Sequence, residues 1–277
     1  MISGHTRLIA HLGVPTESFK APMIYNPYFE ANEIDSVVVP MGVEAEDFPG
    51  FMRTLARLRN FDGALITMPH KVSVVELLDE ASVAVRVCGA CNAVRRGPEG
   101  QLVGDMFDGE GFVRGVRNKG CTVDGALVLI VGNGGVGSAI SASLAAAGAA
   151  RMALYDVQAS SSERLAAGLQ AAYPGLALST GSNDPTGFDI VVNATPLGMN
   201  AGDPMPMPVE RFSESSFVGE VVMKSEETAF LAAARARGCR TQVGIDMLFE
   251  QIPAYLEFFG YPSTDAATLR GLARIRY

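Results

Sequence analysis

Six consecutive residues, Gly132-Asn133-Gly134-Gly135-Val136-Gly137, place glycines at the first, third and last positions of a G-x-G-x-x-G run. Glycines at that spacing let the backbone turn tightly and bring its amides against a pyrophosphate at a helix start. The run follows an apolar stretch, opens a small-residue helical stretch, and is followed at the end of the next strand-like run by Asp156. A carboxylate there accepts hydrogen bonds from the adenine ribose hydroxyls and repels a 2′-phosphate. The next residues, Val157, Gln158 and Ala159, offer no cation to hold such a phosphate. The pattern points to a dinucleotide, and to NAD rather than NADP. Asp156 also suits the N-cap of the following helix.

Two other groups could do chemistry. Lys71 comes just after a strand-like run ending in Met68-Pro69. An amine at that point is a candidate for proton transfer, with an ordinary surface lysine at a helix start as the alternative. Cys88-Gly-Ala-Cys91 has the spacing of a redox or metal pair. Cys121 and Cys239 stand alone, however, and only His5, His11 and His70 could add imidazoles. Two small buried side chains are the simpler account, and no metal is expected.

The elements that must position these groups fall into two patterns. Up to about Asp108, short strands (Ser36–Val39, Gly63–Met68) alternate with amphipathic helices (Asp47–Arg59, Val72–Val85). Gly97-Pro98-Glu99-Gly100 reads as the turn of a hairpin between Ala93–Arg96 and Gln101–Val103. From Gly125 onward, strands at Ala126–Val131, Met152–Tyr155, Asp189–Asn193 and Ser216–Val222 alternate with helices at Gly137–Ala147 and Ser161–Ala172. That alternation argues for a doubly wound parallel sheet. The tail is helical (Ile245–Phe259, Thr264–Arg274) and is expected to pack back on the first domain.

A chain of 277 residues favours two domains, and a 48% hydrophobic, 19% charged composition suits a packed globular protein. The net charge of −8 argues against nucleic acid or an anionic membrane as a partner. No apolar run approaches the roughly 20 residues needed to span a bilayer. The four cysteines do not make a disulfide framework, and no signal-peptide pattern opens the chain, so a cytoplasmic location is expected.

With these motifs in order, the chain resembles the shikimate/quinate dehydrogenase family nearly end to end. The resemblance is carried by Gly13-Val14-Pro15 leading to Lys20-Ala21-Pro22, Thr67-Met68-Pro69-His70-Lys71, Gly89-Ala90-Cys91-Asn92 and Gly104-Asp105-Met106-Phe107-Asp108-Gly109. The glycine loop, Asn193-Ala194-Thr195-Pro196-Leu197-Gly198-Met199 and Gly244-Ile245-Asp246-Met247-Leu248 with Gln251 complete it. The resemblance implies that Lys71 and Asp108 form a proton-transfer pair. A secondary alcohol that loses hydride leaves a proton on oxygen, which a poised lysine can take. It implies ring-hydroxyl contacts for Thr67, Asn92 and Gln251; for Gln251 a solvated helix face is the alternative. It implies that Asn193, Thr195, Pro196, Leu197, Val222 and Met247 line the cofactor, and that Gly244 lets the chain pass near its nicotinamide.

The recognition loop departs from that family. Phe19-Lys20-Ala21-Pro22 stands where the family carries Ser-x-Ser-Pro, whose hydroxyls hold the substrate carboxylate. Met106-Phe107 replaces Asn-Thr, and Met223 falls where a tyrosine is common. Phe19 and Ala21 are therefore the substrate-site positions that set specificity, with Thr16 and Ser18 as possible substitutes for the lost hydroxyls.

The expected architecture is α/β with two domains. Residues 1–108 and 244–277 would form the substrate domain, and 109–243 a Rossmann NAD domain. The implied activity is reversible NAD-dependent oxidation of a ring hydroxyl of shikimate or a related cyclic hydroxy acid. Alternatives are quinate or another cyclic polyol as substrate, or a non-catalytic NAD-binding regulatory module. The partner is a small molecule, and the chain is expected to be a monomer or homodimer.

Overall fold

The computed structural model describes residues 2–224 and 227–275, with the side chain of Ser18 outside the description. The chain divides into two compact units, Met1–Phe107 with Ile252–Tyr277, and Asp108–Gln251.

The first unit runs β1 (Arg7–Gly13), α1 (Pro22–Ala31), β2 (Ser36–Gly42), α2 (Phe48–Leu55), β3 (Phe61–Ile66), β4 (Glu80–Ala81), α3 (Val83–Cys88), β5 (Ala93–Arg96) and β6 (Leu102–Asp105). Its six-stranded sheet has the order β2-β1-β3-β5-β6-β4. β1 pairs in parallel with β2 and β3, whereas β5 is antiparallel to β3 and β6. The hairpin expected around Gly97–Gly100 forms, with Arg96 opposite Leu102.

The helix expected over Val72–Val85 does not form. A single 3-10 turn covers Ser73–Leu77, the chain then straightens into β4, and α3 begins after the Ser82 N-cap. Tertiary pairing wins over local pattern here. Leu102 N–H donates to the Asp79 carboxylate (2.7 Å), Asp79 N–H to Leu102 O (2.9 Å), and Ser82 N–H to Gly104 O (3.1 Å). The β-branched Val72, Val74 and Val75 give the helix little to resist with.

The second unit runs α4 (Asp108–Asn118), β7 (Leu127–Val131), α5 (Gly135–Ala146), β8 (Arg151–Tyr155), α6 (Ala159–Ala172), β9 (Ala177–Thr180), β10 (Ile190–Asn193), β11 (Phe217–Glu220), α7 (Ala229–Ala236) and β12 (Arg240–Gln242). Its sheet, β12-β11-β10-β7-β8-β9, is parallel throughout. Val128–Ile130, Ile190–Val192, Phe217 and Val218 are fully buried, as strands covered on both faces require. Strand order reverses between β7 and β10, the switch point at which open α/β sheets receive ligands.

α8 (Gly244–Phe259) and α9 (Ala266–Leu272) close the chain. The tail was expected to change domain at Gly244, but the division falls within α8, after Gln251. The first half of α8 lies against α4: Lys119 pairs with Asp246 at 3.1 Å, and Asn118 donates to Glu250 at 2.8 Å. Its second half lies on the first sheet, where a Cβ on Gly63 would stand 2.4 Å from the Phe259 ring. Asp108, placed at the end of the first domain from sequence, opens α4 and so belongs to the second unit. α9 returns to α1, with Arg274 N–H donating to Met23 O at 2.8 Å.

Candidate active site

In the second unit the glycine loop sits at the end of β7, and its glycines divide into two kinds. A Cβ on Gly137 would fall 1.9 Å from Gly132 O, and one on Gly132 (φ 96°) would fall 2.7 Å from the Ala194 carbonyl carbon. These two close the turn. Gly134 and Gly135 have nothing within 4 Å of a Cβ position, so the loop is open on that side. Gly134 caps α5 without any side-chain hydrogen bond, which leaves the first-turn amides, Gly135 and Val136 among them, for an anion.

Asp156 fixes the loop. One of its carboxylate oxygens accepts from Asn133 N–H (2.7 Å) and the other from Gln158 N–H (2.9 Å). Gln158, rather than Asp156, is the N-cap of α6. Each oxygen retains a lone pair for a ribose hydroxyl. Val157 beside it is 90% exposed, a bare apolar surface with no charge for a 2′-phosphate. Inside the loop, Asn133 accepts from Ser162 Oγ at 2.7 Å, while its buried Nδ2 lacks a partner. The pyrophosphate and ribose of a nicotinamide dinucleotide suit this cradle in shape and charge.

The loop after β10 lies against the same glycines. Asn193 is fully buried and its amide shapes the turn: Oδ1 accepts from Thr195 N–H and Oγ1, and Nδ2 donates to Leu197 O. This holds Thr195-Pro196-Leu197 beside Gly132. Val222 and Met247 are buried, at 3% and 2% exposure. A Cβ on Gly244 would stand 2.2 Å from Val222 O, so close backbone packing within the unit already requires glycine there. Asp108 is buried at the first turn of α4, where a helix N-terminus favours a carboxylate. Gln251 is also buried, and its Oε1 has no partner, so the solvated-face alternative does not apply.

Glu220, at the end of β11, is a buried carboxylate that the sequence reading missed. It accepts from Thr228 Oγ1 at 2.8 Å and also bonds the Asn193 side chain. Burial pushes its carboxyl up to about 7 despite these bonds. An acid closing an otherwise apolar parallel strand was the available signal.

In the first unit Lys71 ends the turn that follows β3. His70 anchors that turn: it is fully buried, stacks on Phe48 (4.0 Å, 6°), and donates from Nε2 to Val43 O at 2.8 Å. Thr67 N–H donates to Leu12 O, and Lys71 O accepts from Cys91 N–H, so the turn is fixed at both ends. Lys71 is half-buried. Asn92 is buried, with Oδ1 accepting from Phe107 N–H at 2.9 Å, which orients its NH₂ group. Tyr255, also unanticipated, donates to Asn92 O at 3.4 Å. Phe107 packs on Tyr255 and Phe258. The Cys91 thiol is pushed up to about 12 by burial and donates to Ala93 O. Among the described residues no group of three or more His, Cys, Asp or Glu could hold a metal ion.

Phe19 and Ala21 bring no hydroxyl to this unit. Ala21 is buried at the N-cap of α1. The Phe19 ring stacks on His11 at 4.0 Å, and its tip stands 3.1 Å from a Cβ position on Gly13, the same position that Thr67 Cγ2 approaches to 2.5 Å. Ser18 lies outside the described side chains.

Residues 12–94 match the family model described as the shikimate dehydrogenase substrate binding domain. A relative from Rubrobacter xylanophilus, named shikimate dehydrogenase (NADP(+)), is 33% identical over 98% of this chain and 97% of its own. Two solved structures align over nearly the whole chain. The 5-ketofructose reductase of Gluconobacter sp. strain CHM43, in ligand-free form, is 26% identical, with a TM-score of 0.89 and 98% of each chain covered. The quinate dehydrogenase from Corynebacterium glutamicum, in complex with NAD, is 27% identical, with a TM-score of 0.85 and 96% and 98% covered.

Proposed function

Because the chain belongs to the shikimate/quinate dehydrogenase family, we propose that it catalyses the reversible NAD-dependent oxidation of a ring hydroxyl of shikimate or a related cyclic hydroxy acid. Lys71 carries the reading. It is half-buried on a turn fixed by a buried, stacked histidine, and a module that only senses NAD has no use for an amine held in this way. The four cysteines form no disulfide among the described residues, which suits a reducing compartment, so the cytoplasm is part of the proposal.

The cofactor would be held by amides of Gly134, Gly135 and Val136 at its pyrophosphate and by Asp156 at its adenine ribose. NAD supplies, when bound, the acceptor for the hydride that leaves the carbinol carbon. Lys71 Nζ takes the hydroxyl proton in that direction and returns it in the other, with Asp108 its partner in the family pattern. Asn92 and Thr67 hold ring hydroxyls, and Gln251 adds an amide with an unsatisfied oxygen.

Two measurements test this. Lys71→Ala should lower kcat by roughly two to four orders of magnitude, while NAD affinity measured by calorimetry stays within a factor of about three. Near-normal turnover of that variant would falsify the role. NAD should be preferred to NADP by on the order of a hundredfold in kcat/KM, because a 2′-phosphate would face Asp156 with no cation at Val157, Gln158 or Ala159. The Rubrobacter relative is named for NADP(+), so equal use of both cofactors would remove Asp156 as the selector.

A second reading, turnover of an uncharged polyol or keto sugar, is favoured by Phe19 and Ala21. A carboxylate placed against them would lose water without gaining a donor. The 26%-identical relative whose name gives a keto sugar as substrate supports it too.

A further inference from the structure

His11 is used neither by the cofactor cradle nor by proton transfer, yet it sits beside both residues that matter most in the first unit. It stands on β1 at 9% exposure, among fully buried Ile9, Ala10 and Leu12. β1 pairs with β3 up to Ile66, so His11 belongs to the end of the sheet that carries Thr67 and Lys71. Its ring stacks on Phe19 at 4.0 Å and 25°. Its Nδ1 is buried with no hydrogen-bond partner. Burial, and secondarily the positive charge of Lys71, push the imidazole down to about 4, so it is neutral throughout the usual assay range.

An imidazole among buried aliphatic neighbours carries the cost of desolvating its Nδ1, and a ligand can offset it by supplying the missing bond. Neutral imidazole has one donor and one acceptor, as a hydroxyl does. A carboxylate can use only the imidazole's donor and leaves its acceptor unmatched, and the proton uptake that would make His11 a cation for it is opposed by burial and then by Lys71.

We infer that His11 is a specificity-determining residue. Its Nδ1 hydrogen-bonds a non-reacting hydroxyl of the substrate while the Phe19 ring holds the imidazole in place, so the site favours an uncharged polyhydroxy ketone or alcohol over a ring carboxylate. The inference rests on the reading that the turn from Thr67 to Lys71 faces substrate. It replaces a lost anion anchor with a neutral hydroxyl reader on the neighbouring strand.

The test compares 5-ketofructose reduction with shikimate oxidation in the wild type, His11→Leu and His11→Gln. His11→Leu should raise KM for 5-ketofructose about tenfold and lower the 5-ketofructose-to-shikimate ratio of kcat/KM by a similar factor, the worth of one hydrogen bond. His11→Gln, which keeps a neutral donor and acceptor, should recover most of both. An unchanged ratio overturns the inference, as does a wild-type protein that oxidises shikimate but leaves 5-ketofructose untouched. Should His11→Leu not fold, ¹⁵N-imidazole NMR on the wild type decides. The His11 Nδ1 resonance should move when 5-ketofructose is added with NAD present, and a stationary resonance rejects the assignment. Full turnover by Lys71→Ala would instead sink the underlying reading, an outcome independent of either His11 result.

Discussion

On the proposed reading, the two units recognise their ligands by different means. The second unit presents mainly backbone: amides at the start of α5, glycines that close the turn, and one carboxylate that bonds the loop it supports. The first presents side chains, Lys71, Asn92, Thr67 and the stacked His11–Phe19 pair, carried on turns that the sheet and His70 hold still. Backbone recognition tolerates almost no change, because a Cβ in the wrong place blocks the turn itself. Side-chain recognition can change its partner chemistry while every main-chain bond stays where it was. The departures from the family pattern fall on side chains: the glycine run is intact, whereas Phe19 and Ala21 in the first unit and Met223 in the second stand where the family carries hydroxyls.

Gly137→Ala should separate the units most sharply. Its methyl would meet Gly132 O at 1.9 Å, and that neighbour is backbone with nowhere to go. Overpacking of this kind costs about 1–3 kcal/mol. We therefore expect NAD affinity, read by fluorescence titration, to fall by roughly ten- to a hundredfold or more. Wild-type affinity would show that the turn is softer than the contrast requires.

The paired substitution Phe19→Ser with Ala21→Ser should do the opposite, changing specificity with little loss of stability. Restoring two charge-assisted hydrogen bonds should raise kcat/KM for shikimate by at least about tenfold, mainly through KM. An analogue lacking the carboxylate should gain nothing. If both gain equally, the loop acts by fit rather than by charge. If neither gains, another residue holds the carboxylate, and Thr16 is the first described side chain to substitute.

The smallest effect separates the units by pH. Glu220 prefers its protonated form in the folded state, so its contribution is intact below about 4.5 and is lost as pH rises through about 7. His11 has the reverse sense: the folded state resists its protonation, so stability is lost as pH falls from about 6.5 through about 4. Glu220→Gln keeps a hydrogen-bonding group and removes the charge. Relative to the wild type it should gain at most about 3 kcal/mol between pH 5 and pH 8, read from thermal melts at both values. Equal melting shifts at the two pH values would mean that Glu220 is ionised without penalty.

Much of the second unit could be read from residues alone. Six parallel-sheet strands include four that were expected as apolar runs, and each is a run because it is buried on both faces. The first unit was harder to read. Val72–Val85 has a helical pattern, yet pairing of Asp79 and Ser82 with β6 draws part of it into the sheet. Pro27 lies inside α1, which obscured that helix in the sequence. Glu220 escaped notice, and His11 was read only as a spare imidazole, because a lone ionisable residue in an apolar run signals only that it must find a partner, not where.

The sequence by itself determined the dinucleotide turn, the position of Asp156 after the next strand and the loss of two hydroxyls from the recognition loop. These are local facts, set by which residues carry a Cβ, a charge or a hydroxyl. Only the tertiary structure decided that α8 divides between the units, that Asn193 holds the loop beside the glycines, and that Phe19 rests on His11. Each of these joins residues distant in the chain, and the free energy that selects them comes from burying groups together, which no single segment can express.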